Sequence, residues 1–283
     1  MADLYVHLNG RLVPAGEAHL SVFDAGFLHG ASAFTTMRAH NGVVFRLHRH
    51  LRRLMDTVEA MHLRCGATAE TLAQAVRELL EANKLSEAQL RVTLSPGAAH
   101  GEGEPTVLVT AGPLAEYPAW WYDKGIMVTV APFKQSPADP AAGRKTGCYL
   151  SRVLGRRLAA EQGAEEALWF TDDHRLAEAC FSNVFLVLAG ELRTPPLSTP
   201  VLPGIVREAV LELGRSLNVP CRDDADLTVR DMLDAGEVFI TSSLTGVRPV
   251  VRIERHVVGD EAPGRLTRRL MDAYRELLDR ECV

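Results

Sequence analysis

Apolar and polar residues alternate from Leu4 to Leu8 and again from Arg11 to Pro14, with Asn9-Gly10 between the two runs. Period-two alternation around an Asn-Gly pair predicts a β-hairpin closed by a two-residue turn. Phe34 to Arg38 and Val43 to Phe45 flank a second turn at Asn41-Gly42. The pattern then changes period: His48 to Met61 and Thr68 to Asn83 repeat at helical spacing and predict amphipathic helices. Leu90 to Leu94 and Thr106 to Ala111 are short apolar runs of the kind that form buried strands.

Periodicity breaks between Gly112 and Gly125, where Pro113 and Pro118 interrupt a stretch holding Tyr117, Trp120 and Trp121. This break is the expected boundary between a small N-terminal α/β domain, residues 1–117, and a larger C-terminal one, residues 118–283. Beyond it, Ile126 to Ala131, Ala167 to Phe170, Asn183 to Leu188 and Glu237 to Ser242 read as strands. Tyr149 to Gln162, Ile205 to Leu217 and Arg265 to Arg280 read as helices, and Asp172 to Glu178 as a turn. Strands alternating with helices make the fold class α/β. No internal repeat is visible.

A chain of 283 residues fits two modest domains or one large one, since single cores stop growing near ~250–300 residues. Its 47% hydrophobic content is enough to fill such cores. The net charge of −5 argues against nucleic acid or a membrane surface as partner, because both require a concentrated basic face. No apolar run approaches the ~18 residues that span a bilayer. The five cysteines, Cys65, Cys148, Cys180, Cys221 and Cys282, are odd in number and lack paired metal spacing. Neither a disulfide framework nor a metal site is therefore expected, and a reducing cytoplasm suits the composition.

Candidate chemistry enters with the lysines. Only Lys84, Lys124, Lys134 and Lys145 occur among 31 basic residues, so each stands where arginine was not used. Arginine stays protonated, whereas a lysine amine can lose its proton and attack a carbonyl. Lys145 lies in Arg144-Lys145-Thr146-Gly147-Cys148-Tyr149-Leu150, and Arg175-Leu176-Ala177-Glu178-Ala179-Cys180 follows further along. Leu202-Pro203-Gly204-Ile205-Val206-Arg207 is a loop entering a helix, where unpaired backbone N–H groups and the helix dipole favour an anion. Thr241-Ser242-Ser243-Leu244-Thr245-Gly246 offers hydroxyls and amides at a strand end. Two anion-binding loops and a nucleophilic lysine together suggest a phosphorylated aldehyde.

These segments, in this order, resemble the class IV aminotransferase family, the fold-type IV enzymes that use pyridoxal phosphate. The resemblance covers nearly the whole chain. It rests on Asp24-Ala25-Gly26 with His29-Gly30 and Phe34, on His50-Leu51-Arg52-Arg53-Leu54, and on Lys145 with Leu150. It continues through Glu178 to Asn183-Val184-Phe185, Thr194-Pro195-Pro196, Leu202 to Arg207, and Glu237-Val238-Phe239 with Pro249.

The resemblance implies two α/β domains with the cofactor between them, and a homodimer. It implies that Lys145 forms a Schiff base with pyridoxal phosphate and then carries the proton between substrate and cofactor. Glu178 would pair with the pyridine nitrogen, and Arg53 would grip the phosphate with forked hydrogen bonds. Ile205 and Val206 would add backbone N–H groups, Ser243 a hydroxyl or amide, and Leu202 would pack on one ring face. Three departures from the family pattern stand out. Tyr149 lies four residues after Lys145, one fewer than the tyrosine that meets the cofactor's phenolic oxygen in branched-chain aminotransferases. Phe34-Thr35-Thr36 lacks the glutamate common after the aromatic residue and is similar to the threonine pair of aminodeoxychorismate lyases. Ser95 to His100 lacks the Arg-x-His that traps the substrate carboxylate in D-amino-acid aminotransferases.

The expected activity is transfer of an amino group from a small-molecule donor to a 2-keto acid. The alternative is an aminodeoxychorismate lyase releasing pyruvate and 4-aminobenzoate, in which Thr36 would carry a proton. A noncatalytic binding protein is a third reading, disfavoured by the coexistence of Lys145 and Glu178.

Overall fold

The computed structural model describes residues 4–100 and 103–283. The chain divides into two compact units. The first comprises residues 1–115 with Lys145–Tyr149 and Leu278–Val283, and the second Glu116–Arg144 with Leu150–Leu277.

The first unit is built on a six-stranded sheet in which neighbouring strands run antiparallel. Its hairpin pairs Tyr5–Leu8 with Arg11–Pro14, Leu8 opposite Arg11. Asn9 and Gly10 both take positive φ, at 47° and 84°, as a two-residue turn matching strand twist requires. The central strands Ala33–His40, Ala88–Ser95 and Thr106–Pro113 are paired over their lengths. Helices Leu47–Ala60 and Ala69–Asn83 supply Leu51, Leu54, Leu72, Val76 and Leu79 to the core, against Met37, Leu90 and Val92 of the strands. Thr68 and Thr71 form a reciprocal capping box that starts the second helix.

The second unit has a nine-stranded mixed sheet. Strand Glu166–Thr171 is buried at every position, which suits a strand covered on both faces. It runs parallel to Ile126–Gln135, and helix Leu150–Glu161 lies between the two in sequence. Asn183–Leu188 and Glu237–Ser242 pair antiparallel and stack Phe185 on Phe239, ring centroids 4.9 Å apart.

One segment differs from the sequence-based expectation, and a strand forms where the sequence reading gave no element. The stretch expected as a turn from Asp172 to Glu178 reverses at His174, with φ of 64°, and then forms the fully buried strand Leu176–Ala179. Strand Gly246–Ile253 carries Pro249, a residue that argues against a strand interior. Pro249 is tolerated because pairing to Ile126–Gln135 begins one residue later, at Val250, so its missing N–H falls outside that ladder.

Candidate active site

In the first unit, the segment holding Lys145 is stitched to the start of strand Ala33–His40. Phe34 N–H donates to the Lys145 carbonyl at 2.9 Å, and Gly147 N–H donates to the Ser32 carbonyl at 2.7 Å. Glycine is required at 147, because a Cβ there would collide with the Ser32 hydroxyl and stand 2.7 Å from the Gly30 carbonyl oxygen. Asp24 buttresses the neighbouring turn: its carboxylate caps Gly26 N–H at 2.7 Å and accepts from Ser95 and Thr106 hydroxyls. The Asp24-Ala25-Gly26 and His29-Gly30 motifs are thus the backbone support of the lysine segment.

The Lys145 side chain is half-buried. Its Nζ donates to the Tyr149 hydroxyl at 2.8 Å and lies 4.8 Å from the centre of the Phe34 ring. Phe34 and Tyr149 meet edge to face at 5.1 Å, which fixes both rings around the amine. Tyr149 therefore reaches Lys145 despite its shortened spacing. Thr36 is on the same pleated face of its strand as Phe34, directly opposite Arg91.

Arg53 projects from helix Leu47–Ala60 and is buried, its Nη2 donating to Thr35 Oγ1 at 3.1 Å. His50, one turn earlier and also buried, has Nδ1 3.0 Å from the same hydroxyl. Burial, then the positive charges of Arg53 and Lys145, hold the His50 imidazole well below its ordinary value of 6.5. His50 is neutral near pH 7.

In the second unit, Glu178 sits on strand Leu176–Ala179 and is buried. Arg152, from helix Leu150–Glu161, donates to its Oε1 at 2.6 Å. Its Oε2 accepts from Leu202 N–H at 3.0 Å and from Asn183 Nδ2 at 3.5 Å. Asn183 also donates to the Leu202 carbonyl at 2.8 Å, so the loop and the carboxylate share one anchor. Gly204 makes this approach possible, because a Cβ there would strike the Asn183 amide oxygen. Ile205 and Val206 open helix Ile205–Ser216, whose Gly204 cap has no side-chain acceptor to offer. Their N–H groups belong to the first turn, which lacks intrahelical partners. Ser243 lies in the turn tied by Ser242 and Thr245, whose hydroxyls are 2.7 Å apart.

The structure thus gathers Lys145, Tyr149, Phe34 and the Arg53 cluster in one unit, and Glu178, Leu202, Ile205 and Val206 in the other. Sequence reasoning did not single out Arg152, and it named Thr35 and His50 only within motifs, without their contacts to Arg53. His50 carried a usable signal, standing three residues before Arg53 on a predicted helix face. Arg152 carried none.

Residues 32–253 match the class IV amino-transferase family. The chain belongs to that family. A putative branched-chain-amino-acid aminotransferase of Methanocaldococcus jannaschii is 31% identical, with 96% of each chain covered. The crystal structure of the Escherichia coli branched-chain amino acid aminotransferase superposes with a TM-score of 0.93 at 26% identity, covering 100% of this chain and 97% of that one. The T.th. branched-chain amino acid aminotransferase, determined with pyridoxamine 5'-phosphate, gives 0.93 at 25% identity, with 99% and 95% covered. This class IV aminotransferase has the fold-type IV architecture of those enzymes, in line with the resemblance drawn from its motifs. The relatives are aminotransferases, and the lyase alternative is not favoured.

Proposed function

We infer that this protein is a pyridoxal-phosphate-dependent aminotransferase that moves an amino group between an amino donor and a 2-keto acid. Full-length likeness to aminotransferases supports the activity. The single observation that carries the chemistry is Lys145, held by two backbone hydrogen bonds of its segment, with its amine between the rings of Phe34 and Tyr149.

The residues fit the cofactor on physical grounds. Burial, and after it the positive charges of Arg53 and Lys145, oppose protonation of His50, and two cations near one buried ring suit a phosphate dianion. Glu178 has three donors on its two oxygens; a carboxylate has about four lone-pair sites, leaving one for a ring N–H. Bound pyridoxal phosphate supplies a carbonyl carbon for Schiff-base formation and a ring that withdraws electrons.

The chain's own residues would divide the remaining work. Lys145 takes a proton from the substrate α-carbon and returns it, with Tyr149 orienting its Nζ. Glu178 keeps a proton at the pyridine nitrogen. Arg53, the Ile205 and Val206 N–H groups and Ser243 bind the phosphate, and Leu202 covers one ring face against water. Thr36 has a task only in the lyase reaction. Branched-chain donors are the first to test, given the names of the relatives. A homodimer accords with the exposed Val22, Phe23 and Phe27, apolar side chains more than 60% accessible in the single chain. A reducing compartment accords with five unpaired cysteines.

Borohydride reduction of the holoenzyme is expected to fix the cofactor irreversibly, and peptide mapping should find it on Lys145. A label on Lys84, Lys124 or Lys134 rejects the assignment. In a donor panel with pyruvate and 2-oxoglutarate, half-transamination by at least one amino acid is expected. If none reacts while aminodeoxychorismate yields pyruvate, the lyase replaces the aminotransferase.

A further inference from the structure

Thr35, His50 and Arg53 form a buried hydrogen-bonded chain. Arginine only donates, so the Thr35 oxygen is the acceptor of the 3.1 Å contact from Arg53 Nη2. The same hydroxyl is 3.0 Å from His50 Nδ1, and with one donor and two acceptor sites it bonds both neighbours in either ring tautomer. Thr35 has no solvent exposure and His50 1%, so water does not compete for either group.

Alternation along the strand explains the placement. Thr35 faces the helices beside Met37 and Ala39, while Phe34, one residue earlier, bonds the Lys145 backbone. On helix Leu47–Ala60, His50 and Arg53 are separated by three residues, so both reach the same hydroxyl. A hydroxyl here restrains a guanidinium without neutralising it.

We propose that Thr35 is a positioning residue for anion binding: with His50 orienting its hydroxyl, it holds Arg53 in the pose that receives the cofactor phosphate. This rests on the reading that Arg53 grips that phosphate. Thr35→Val keeps the shape and removes the acceptor, while Thr35→Ser keeps the acceptor.

The test compares cofactor-free protein for binding of pyridoxal phosphate and of pyridoxal, which lacks the phosphate, by absorbance titration. Thr35→Val is expected to weaken pyridoxal phosphate binding about tenfold, the scale of one hydrogen bond to a charged group. Pyridoxal binding should stay within about twofold, and Thr35→Ser should restore most of the preference for the phosphorylated ligand. Thermal melting of each variant checks folding, and Thr35→Ala takes the place of Thr35→Val if the latter does not fold. Equal losses for both ligands would mean a merely structural role and overturn the proposal. If the unaltered protein prefers pyridoxal phosphate and Thr35→Val keeps the full preference, the proposal alone falls. If the unaltered protein shows no preference, the phosphate role of Arg53 falls with it.

Discussion

The two units hold their key charged side chains in opposite ways. In the first, Arg53 is restrained by the neutral Thr35 hydroxyl, backed by a neutral His50. In the second, Glu178 is restrained by a full positive charge from Arg152 and by two further N–H donors. The difference follows from the task each group is assigned. The Thr35 contact restrains the guanidinium through a neutral group, whereas Glu178, buried on its strand, is held through a direct ion pair. A carboxylate also has several acceptor sites, so compensation and function can coexist on one group.

The strongest way to break this contrast is to remove the charge of Glu178. Glu178→Gln is expected to leave cofactor binding largely intact and to slow the proton-transfer step by about 100-fold, the lower range for loss of a positioned acid–base group. Unchanged single-turnover kinetics would remove Glu178 from the reaction. Arg152→Met tests the restraint itself. It leaves a carboxylate with only 5% side-chain exposure lacking its cation, and urea unfolding of the variant should show a loss of about 3 kcal/mol. A stability within roughly 0.5 kcal/mol of the unaltered protein, the scatter of a surface substitution, would mean that the Leu202 and Asn183 donors suffice.

The smallest effect concerns pH in the first unit. His50 binds a proton less readily in the folded chain than in the unfolded one, because of burial, Arg53 and Lys145 in that order. Stability from this group is fully present above pH 6.5 and declines as pH falls below it toward the lower folded value. His7 is shifted the same way by burial, partly opposed by Glu78. His50→Gln should therefore make the acid side of a pH–stability profile shallower without flattening it. An unchanged slope would show that His50 accepts a proton in the folded state at no penalty.

Much of this organisation was legible in the sequence, for reasons that differ by segment. Asn183–Leu188 and Glu237–Ser242 coincide with uninterrupted apolar runs bounded by polar or turn residues, a pattern that local physics fixes. Gly246–Ile253 was hidden by Pro249, whose acceptability depends on where a neighbouring strand begins to pair. Leu176–Ala179 is only four residues long and carries Glu178, so its burial depends on partners distant in the chain. Lys145 stood out by the scarcity of lysine. Arg152 did not, because on a helix with mostly exposed arginines only the tertiary contact with Glu178 distinguishes it.

The tie between Asn183 and the Leu202–Gly204 loop has a consequence for anyone redesigning this enzyme. Because one amide side chain steadies both the loop backbone and the carboxylate, the two cannot be edited as independent modules. A loop graft that brings any residue but glycine at 204 displaces Asn183, and with it a support of the acid on another strand. Swaps intended to alter the pocket should therefore travel as a set that includes positions 183 and 204.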